Sequence, residues 1–316
     1  MSVHLGIDLG GTSIKMGLVN EGGQIISRLE TDTSDDFDTV TRDMAEGVLS
    51  LLKKTGLGKK DLPYIGLGVP STVHPETGRL ILANNTGWEN APMREALEEK
   101  TGLSVLIAND ADCALAGEAL CGSAKNQKDV LMLTLGTGVG GAMLINGRLF
   151  SGCDGMGMEV GHLPLIAGGP KCTCGASGCV ETLVSATGLV LLTKEAIHEN
   201  PDSLMHKKIK SGIPLDGRLA FSCMEEGDQA AKSVVERYCA LLAQTVGGLS
   251  NVFRPALVLL GGGVSKAGDA LLFRVREALP RFILSYSVIG GPELRLASLG
   301  NDAGLIGAAF LKEMSI

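Results

Sequence analysis

Two stretches of the sequence follow one plan. Residues 6–23 (GIDLGGTSIKMGLVNEGG) and 134–149 (TLGTGVGGAMLINGRL) each run from an apolar strand into a glycine-rich turn and back along a second strand. They align at an offset of 126 residues, with Asn20 falling on Asn146. One such segment is an ordinary β-hairpin with glycine in its turn. Two in register predict a pair of α/β domains, each offering a backbone cradle for an anion. Gly10, Gly11, Gly136, Gly138, Gly140 and Gly141 have no Cβ to hold a phosphate away from amide N–H groups. Thr12 and Thr137 add hydroxyl donors, and the pair reads as a two-domain phosphate clamp.

Asp8 ends the strand that enters the first turn, where a buried carboxylate needs a cation or hydrogen-bond donors. A magnesium ion bridging nucleotide phosphates is the expected partner, the alternative being an aspartate that satisfies its own turn. The rest of the composition fits a soluble, globular pair of domains. At 316 residues and 45% hydrophobic content the chain can bury two sizeable cores. A net charge of −7, with no basic grouping longer than pairs such as Lys53-Lys54 and Lys207-Lys208, argues against a nucleic-acid surface. No apolar run approaches the length that spans a bilayer, and residues 1–10 read as a strand instead of a signal peptide, so a cytoplasmic protein without a membrane partner is expected.

Apolar periodicity places three antiparallel strands at 3–9, 14–20 and 24–30, an amphipathic helix over 36–55, and short buried strands at 64–69 and 104–108. Helices are expected over 91–100, 111–121 and 228–252, the next sheet begins at 129–135, and a strand at 256–260 runs into Gly261, Gly262 and Gly263. A last helix near residue 302 presents Gly304, Gly307, Ala308 and Ala309 to something close by. The repeat sets the expected domains: a smaller one of 1–109 plus 302–316, and a larger one of 110–301 that carries the second hairpin.

Between the strand ending at 108 and the next helix stand Asn109 and Asp110. Asp110 alone reads as a helix N-cap. Its place at a strand tip also suits the carboxylate that accepts a proton from an attacking hydroxyl in phosphoryl transfer, whereas Asp112 is expected to point elsewhere. Further on, EVGHLPLIAGGPKCTCGASGCVE (159–181) sets His162 with Cys172, Cys174 and Cys179, one imidazole and three thiolates, a closed tetrahedral set for structural zinc. The alternative is a reduced, metal-free cluster. Of the eight cysteines, Cys113, Cys121, Cys223 and Cys239 read as small core residues and Cys153 as a loop residue. Glu159 lies on the His162 face if that segment is helical, and Glu181 follows the last cysteine.

In order and spacing, DLGGT, IANDADCALAGE, LGTGVGGA, EVGH, CTCGASGCVE, LLGGGVS and LGNDAGLIGAA resemble the ROK family of bacterial sugar kinases, repressors and open reading frames, over essentially the whole chain. Its ATP-dependent glucokinases are the most similar. The resemblance implies an α/β, actin-like ATPase (ribonuclease H-like) fold of two domains flanking a cleft, and transfer from MgATP to the 6-hydroxyl of glucose. Asp8, Gly10, Gly11, Thr12 and Lys15 fall on the first phosphate segment, Thr137, Gly138, Gly140 and Gly141 on the second, and Gly261 to Gly263 on the adenosine side. Asp110 matches the catalytic base. Asn85, Asn109, Asp110, Glu159, His162 and Glu181 match positions that bind the sugar, and His162 with the three cysteines matches a zinc site. A homodimer is also implied.

Two departures bear on the acceptor: Ser71 stands where the family usually has glycine after Pro70, and His74 where an aspartate is common. Ser71 is therefore expected to influence which hexose is preferred. N-acetylmannosamine, N-acetylglucosamine, fructose and allose are the rival acceptors. The family's repressors carry a winged helix ahead of the first strand, and with a strand starting at Val3 that class is not expected.

Overall fold

The apolar alternation of residues 3–32 forms an antiparallel meander of β1 (Val3–Leu9), β2 (Ser13–Asn20) and β3 (Ile25–Asp32). β4 (Ile65–Val69) runs parallel to β1 and is buried along its whole length, as a strand covered on both faces must be. A three-stranded flap follows, β5 (Thr72–Val73), β6 (Leu80–Ala83) and β7 (Trp88–Ala91), and β8 (Val105–Asn109) then closes the main sheet in the order β3-β2-β1-β4-β8. The computed structural model describes residues 2–83 and 86–314.

Helix α1 (Phe37–Thr55) starts where the Asp36 carboxylate accepts the Thr39 N–H and stops at Gly56 in the left-handed conformation. Val40, Met44, Val48 and Leu51 form its buried stripe against this sheet. α2 (Met93–Thr101) begins after Pro92, and α3 (Asp110–Cys121) leaves the tip of β8. A second sheet, ordered β11-β10-β9-β12-β13, comprises β9 (Val130–Leu135), β10 (Val139–Ile145), β11 (Arg148–Leu149), β12 (Leu257–Gly261) and β13 (Glu293–Leu296). Between β11 and β13 lie α4 (Val180–Val184), α5 (Ala186–Glu199), α6 (Leu204–Lys210), α7 (Leu219–Glu225), the long α8 (Gln229–Phe253), α9 (Asp269–Ala278) and α10 (Tyr286–Ile289). Asp228 caps α8 with one oxygen and receives the first N–H groups of α6 on the other.

The last elements are α11 (Ala303–Ala309) and α12 (Leu311–Met314). α11 lies on β1, β4 and α3 with almost no side chain between the backbones. A Cβ on Gly6 or Gly66 would strike the carbonyls of Leu305 and Ala308, and one on Gly307 would strike that of Cys113. Such contact is open only to glycine, which accounts for the small-residue run seen in the sequence.

Contacts divide the chain into two compact units: Met1–Asp129 with Ala142–Met158 and Ser298–Ile316, and Val130–Gly141 with Glu159–Ala297. The expected boundaries, 1–109 plus 302–316 against 110–301, differ from this division. Residues 110–129 go with the first unit because α3 packs on α11. Residues 142–158 join it as well: Leu149 lies against Cys113, Ala308 and Leu311, and the Ser151 hydroxyl donates to Asp112 at 3.1 Å.

Candidate active site

In the first unit the turn after β1 is closed by the Gly10 N–H donating to the Ser13 carbonyl at 2.9 Å, and the Thr33 hydroxyl ties down the Gly10 carbonyl at 2.8 Å. Gly11 and Thr12 are left exposed at its apex. Asp8 sits beneath, its Oδ2 3.5 Å from Lys15 Nζ, which also donates to the Asn301 carbonyl at 3.4 Å. Burial raises the Asp8 carboxyl above the usual aspartate range, Lys15 opposes that shift, and Asp302 and Glu30 add to it.

At the tip of β8 the two adjacent polar residues share one backbone donor but differ in exposure. Asn109 caps α3, its Oδ1 accepting the Ala111 N–H at 2.8 Å, and its amide reaches the Ser71 carbonyl at 3.5 Å. Asp110, read from sequence as the natural cap, is the first residue of the helix. Its Oδ1 shares the Ala111 N–H at 2.8 Å and its side chain stands in solvent. Asp112 turns inward to Ser151, as expected. Ser71 is buried, and its hydroxyl donates to the Leu82 carbonyl at 2.9 Å, so the departure at this position binds the flap. Asn85, expected at the sugar, lies outside the described residues.

The flap itself was not read from the sequence. Its anchor is Trp88, whose indole N–H donates to the Asp35 carbonyl at 2.8 Å and whose ring meets Phe37 edge-on, with centroids 5.4 Å apart at 88°. The signal available was a lone tryptophan shortly after Asn84-Asn85.

In the second unit the Gly136 N–H closes on the Gly138 carbonyl at 3.0 Å, and the Gly140 N–H donates to Thr134 Oγ1 at 3.2 Å. Thr137 is exposed at the apex. Gly261 pairs with Thr134 across the sheet, and Gly262, at φ 81°, lies so close to the Leu135 backbone that a Cβ would overlap it. Gly263 follows, and the Ser265 hydroxyl holds the Gly262 carbonyl at 2.7 Å. The residues expected on the adenosine side are thus brought beside the second turn.

Glu159, Val160, Gly161 and His162 form a single 3-10 turn in place of a longer helix, and it abuts β10 where a Cβ on Gly161 would strike the Val139 carbonyl. Partial burial raises the Glu159 carboxyl, His162 lowers it, and nearby Glu181 raises it. Glu181 reaches further than expected. Its Oε2 accepts the Val139 N–H at 3.1 Å, and the carboxylate covers the place a Cβ on Gly138 would take.

The cysteine segment folds into a knot through backbone bonds from Cys172 N to Ala176 O (3.0 Å), Gly178 N to Pro170 O (2.7 Å) and Val180 N to Leu163 O (2.9 Å). His162, Cys172 and Cys174 bring donor atoms within 4.8 Å of one another. Cys172 Sγ is 3.6 Å from His162 Nδ1, and Cys174 Sγ is 3.8 Å from Cys179 Sγ. Tetrahedral zinc, with Zn–S of about 2.3 Å and Zn–N of about 2.0 Å, requires about 3.8 Å between sulfurs and about 3.5 Å from sulfur to nitrogen. The Cys172–His162 and Cys174–Cys179 separations lie close to those values, and His162, Cys172 and Cys174 form a cluster that suits such an ion. Without a metal, burial pushes the Cys179 thiol up to about 12, while the Ala176 N–H holds Cys174 down.

Two α/β units, each built on a strand, a glycine turn and a second strand, define the actin-like ATPase fold. The chain belongs to the ROK family, whose pattern matches residues 4–314. A glucokinase of Halalkalibacterium halodurans is 38% identical over 98% of this chain and 94% of its own length. An N-acetyl-D-glucosamine kinase of Aliivibrio salmonicida is 33% identical, covering 98% and 99% of the two chains. Among solved structures, a ROK family glucokinase from Streptomyces griseus in complex with glucose and AMPPNP superimposes with a TM-score of 0.83 at 28% identity, over 98% of each chain. Among the described residues no helix is long and apolar enough to cross a membrane.

Proposed function

We propose that this protein is a glucokinase, transferring the γ-phosphoryl group of ATP to the 6-hydroxyl of glucose. The observation that carries the reading is at the tip of β8, where the Asp110 carboxylate is exposed at the head of α3 while sharing the Ala111 N–H with the Asn109 cap. Asp110 Oδ would take the proton of the attacking hydroxyl as the phosphoryl group leaves. Thr12, Thr137 and the amides of both turns would hold the phosphate oxygens, and Gly261 to Gly263 would line the adenosine. Asp8, with burial opposing its charge and Lys15 at 3.5 Å, suits a magnesium ion, which when bound supplies charge neutralisation for the triphosphate. Asn85, Asn109, Glu159, His162 and Glu181 would orient the sugar.

His162, Cys172, Cys174 and Cys179 would hold a structural zinc. With Nδ1 turned to the thiol side, the imidazole would offer Nε2 to a sugar hydroxyl, so the knot would orient one acceptor contact. A homodimeric, cytoplasmic enzyme is part of the same reading.

The similarity to an N-acetyl-D-glucosamine kinase supports a second acceptor class. With the Ser71 hydroxyl bonded inward to Leu82, that side chain is not spent on an acetamido group, and glucose is favoured. A coupled ADP-release assay over hexoses and N-acetylhexosamines tests this. Highest kcat/KM on glucose is expected, preference for an N-acetylhexosamine would move the protein to the second class, and turnover on none would refute the kinase reading.

A further inference from the structure

The second glycine turn already holds an anion, and the anion belongs to the chain. Glu181 heads α4, and its Oε2 accepts the Val139 N–H at 3.1 Å. The same oxygen lies over Gly138, where any side chain would collide with it. The neighbouring amides are also engaged, Gly136 N–H with Gly138 O and Gly140 N–H with Thr134 Oγ1. A phosphate approaching this turn meets a carboxylate where it needs a donor.

We propose that Glu181 is an internal occupant of the second phosphate turn that holds nucleotide off until a hexose draws the carboxylate away. This rests on the hexokinase reading above and adds a regulation to it. Three features make the contact releasable. The Glu181 side chain is long and flexible, so it can swing without disturbing α4. Glu159 lies near enough for the two negative charges to oppose each other, although burial acts on the Glu159 carboxyl more strongly than Glu181 does. Hexose hydroxyls are donors, and hydrogen bonds to a carboxylate are stronger than those between neutral groups. Once the hydroxyls take over Glu181, the Val139 N–H is free for a phosphate oxygen, and the Cβ-free surface of Gly138 is exposed to it.

Hexose and nucleotide then bind with positive coupling, and by linkage each tightens the other by the same factor. Water entering an acceptor-free site finds little bound ATP to attack.

The test measures AMPPNP affinity, in the presence of Mg²⁺, by calorimetry on the full chain without sugar. Glu181→Gln, which removes the charge, and Glu181→Ala, which removes the group, are both expected to bind about tenfold more tightly than the parent, about 1.4 kcal/mol. Saturating glucose should bring the same gain to the parent protein. A side chain that only braces α4, or only touches sugar, gives no gain in nucleotide affinity on removal, so unchanged or weaker binding in a folded variant overturns the proposal. If neither variant folds, the parent decides, and a nucleotide affinity indifferent to glucose overturns it. A protein that phosphorylates glucose while failing these titrations refutes only the occupant; one that phosphorylates no sugar refutes the kinase reading.

Discussion

The two glycine turns share a backbone plan and differ in what stands around it. Gly10 and Gly136, equivalent at the 126-residue offset, each close their turn with an N–H to a carbonyl a few residues on. At the position of Asp8 the second copy has Thr134, whose hydroxyl oxygen serves the turn's own Gly140 amide; at the position of Lys15 it has Gly141. The first turn therefore carries its own acid and ammonium group, and the second is neutral and receives its charge from Glu181, 42 residues along the chain. A duplicated backbone can keep its geometry while the chemistry is divided between the copies, with charge from the strand on one side and from a distant helix on the other.

The sharpest way to break this comparison is at Asp110, in the first unit. Asp110→Asn is expected to lower kcat by roughly 10²- to 10⁴-fold, the usual range for a general base, with glucose and AMPPNP affinities retained. A variant keeping more than about a tenth of the rate would exclude Asp110 from that role. Next in size are the two apical threonines. If both turns grip one triphosphate, Thr12→Ala and Thr137→Ala should each reduce kcat/KM by roughly 10- to 100-fold, the worth of a hydrogen bond to a charged group. A loss confined to one of them would mean that the turns do not share the ligand.

Cys174→Ser addresses the second unit alone. Metal analysis should show zinc lost, and glucose binding should weaken by roughly tenfold. Equal glucose affinity with and without metal would separate the knot from the acceptor.

The smallest effect belongs to Asp8. Its folded carboxyl is raised mainly by burial, so the folded state holds the proton more tightly than the unfolded chain, and stability falls as pH rises through that window. Asp8→Asn should therefore raise the Tm of the ligand-free protein at pH 7, and the advantage should shrink as pH is lowered through about 4. A Tm difference independent of pH would place the burial strain elsewhere, and a lower Tm at pH 7 would mean that the Lys15 contact outweighs it.

Much of this was legible in the sequence because the signals were local. The helix expected over 36–55 is found at Phe37–Thr55 behind its Asp36 cap, and the strand at 256–260 is found at Leu257–Gly261. Boundaries moved by a residue or so where capping chemistry decides them, most usefully at Asn109 and Asp110. Either side chain can cap a helix, and only the folded chain shows that Asn109 is the cap and that Asp110 shares its donor. The flap was hidden because strands of two to four residues, broken by turns, show no periodicity. The reach of Glu181 to Val139 was hidden for another reason: it joins segments whose proximity follows from the cysteine knot and the sheet together, which no window of sequence contains. The domain boundary shifted likewise, since α3 and residues 142–158 join the first unit by packing far along the chain.

The bare seam between α11 and the first sheet also bears on how the protein is made. Gly6 leaves the ribosome long before the helix that covers it, Ala303–Ala309. Because backbone meets backbone there, no other segment with ordinary side chains can substitute as a temporary lid. The first sheet must wait, uncapped and open to wrong pairing, until that helix is made, while the second unit has its complete sequence earlier and can fold ahead of it. Deleting residues 303–314 should therefore leave a soluble second unit joined to an aggregation-prone first one, a lesion far larger than the dozen residues removed.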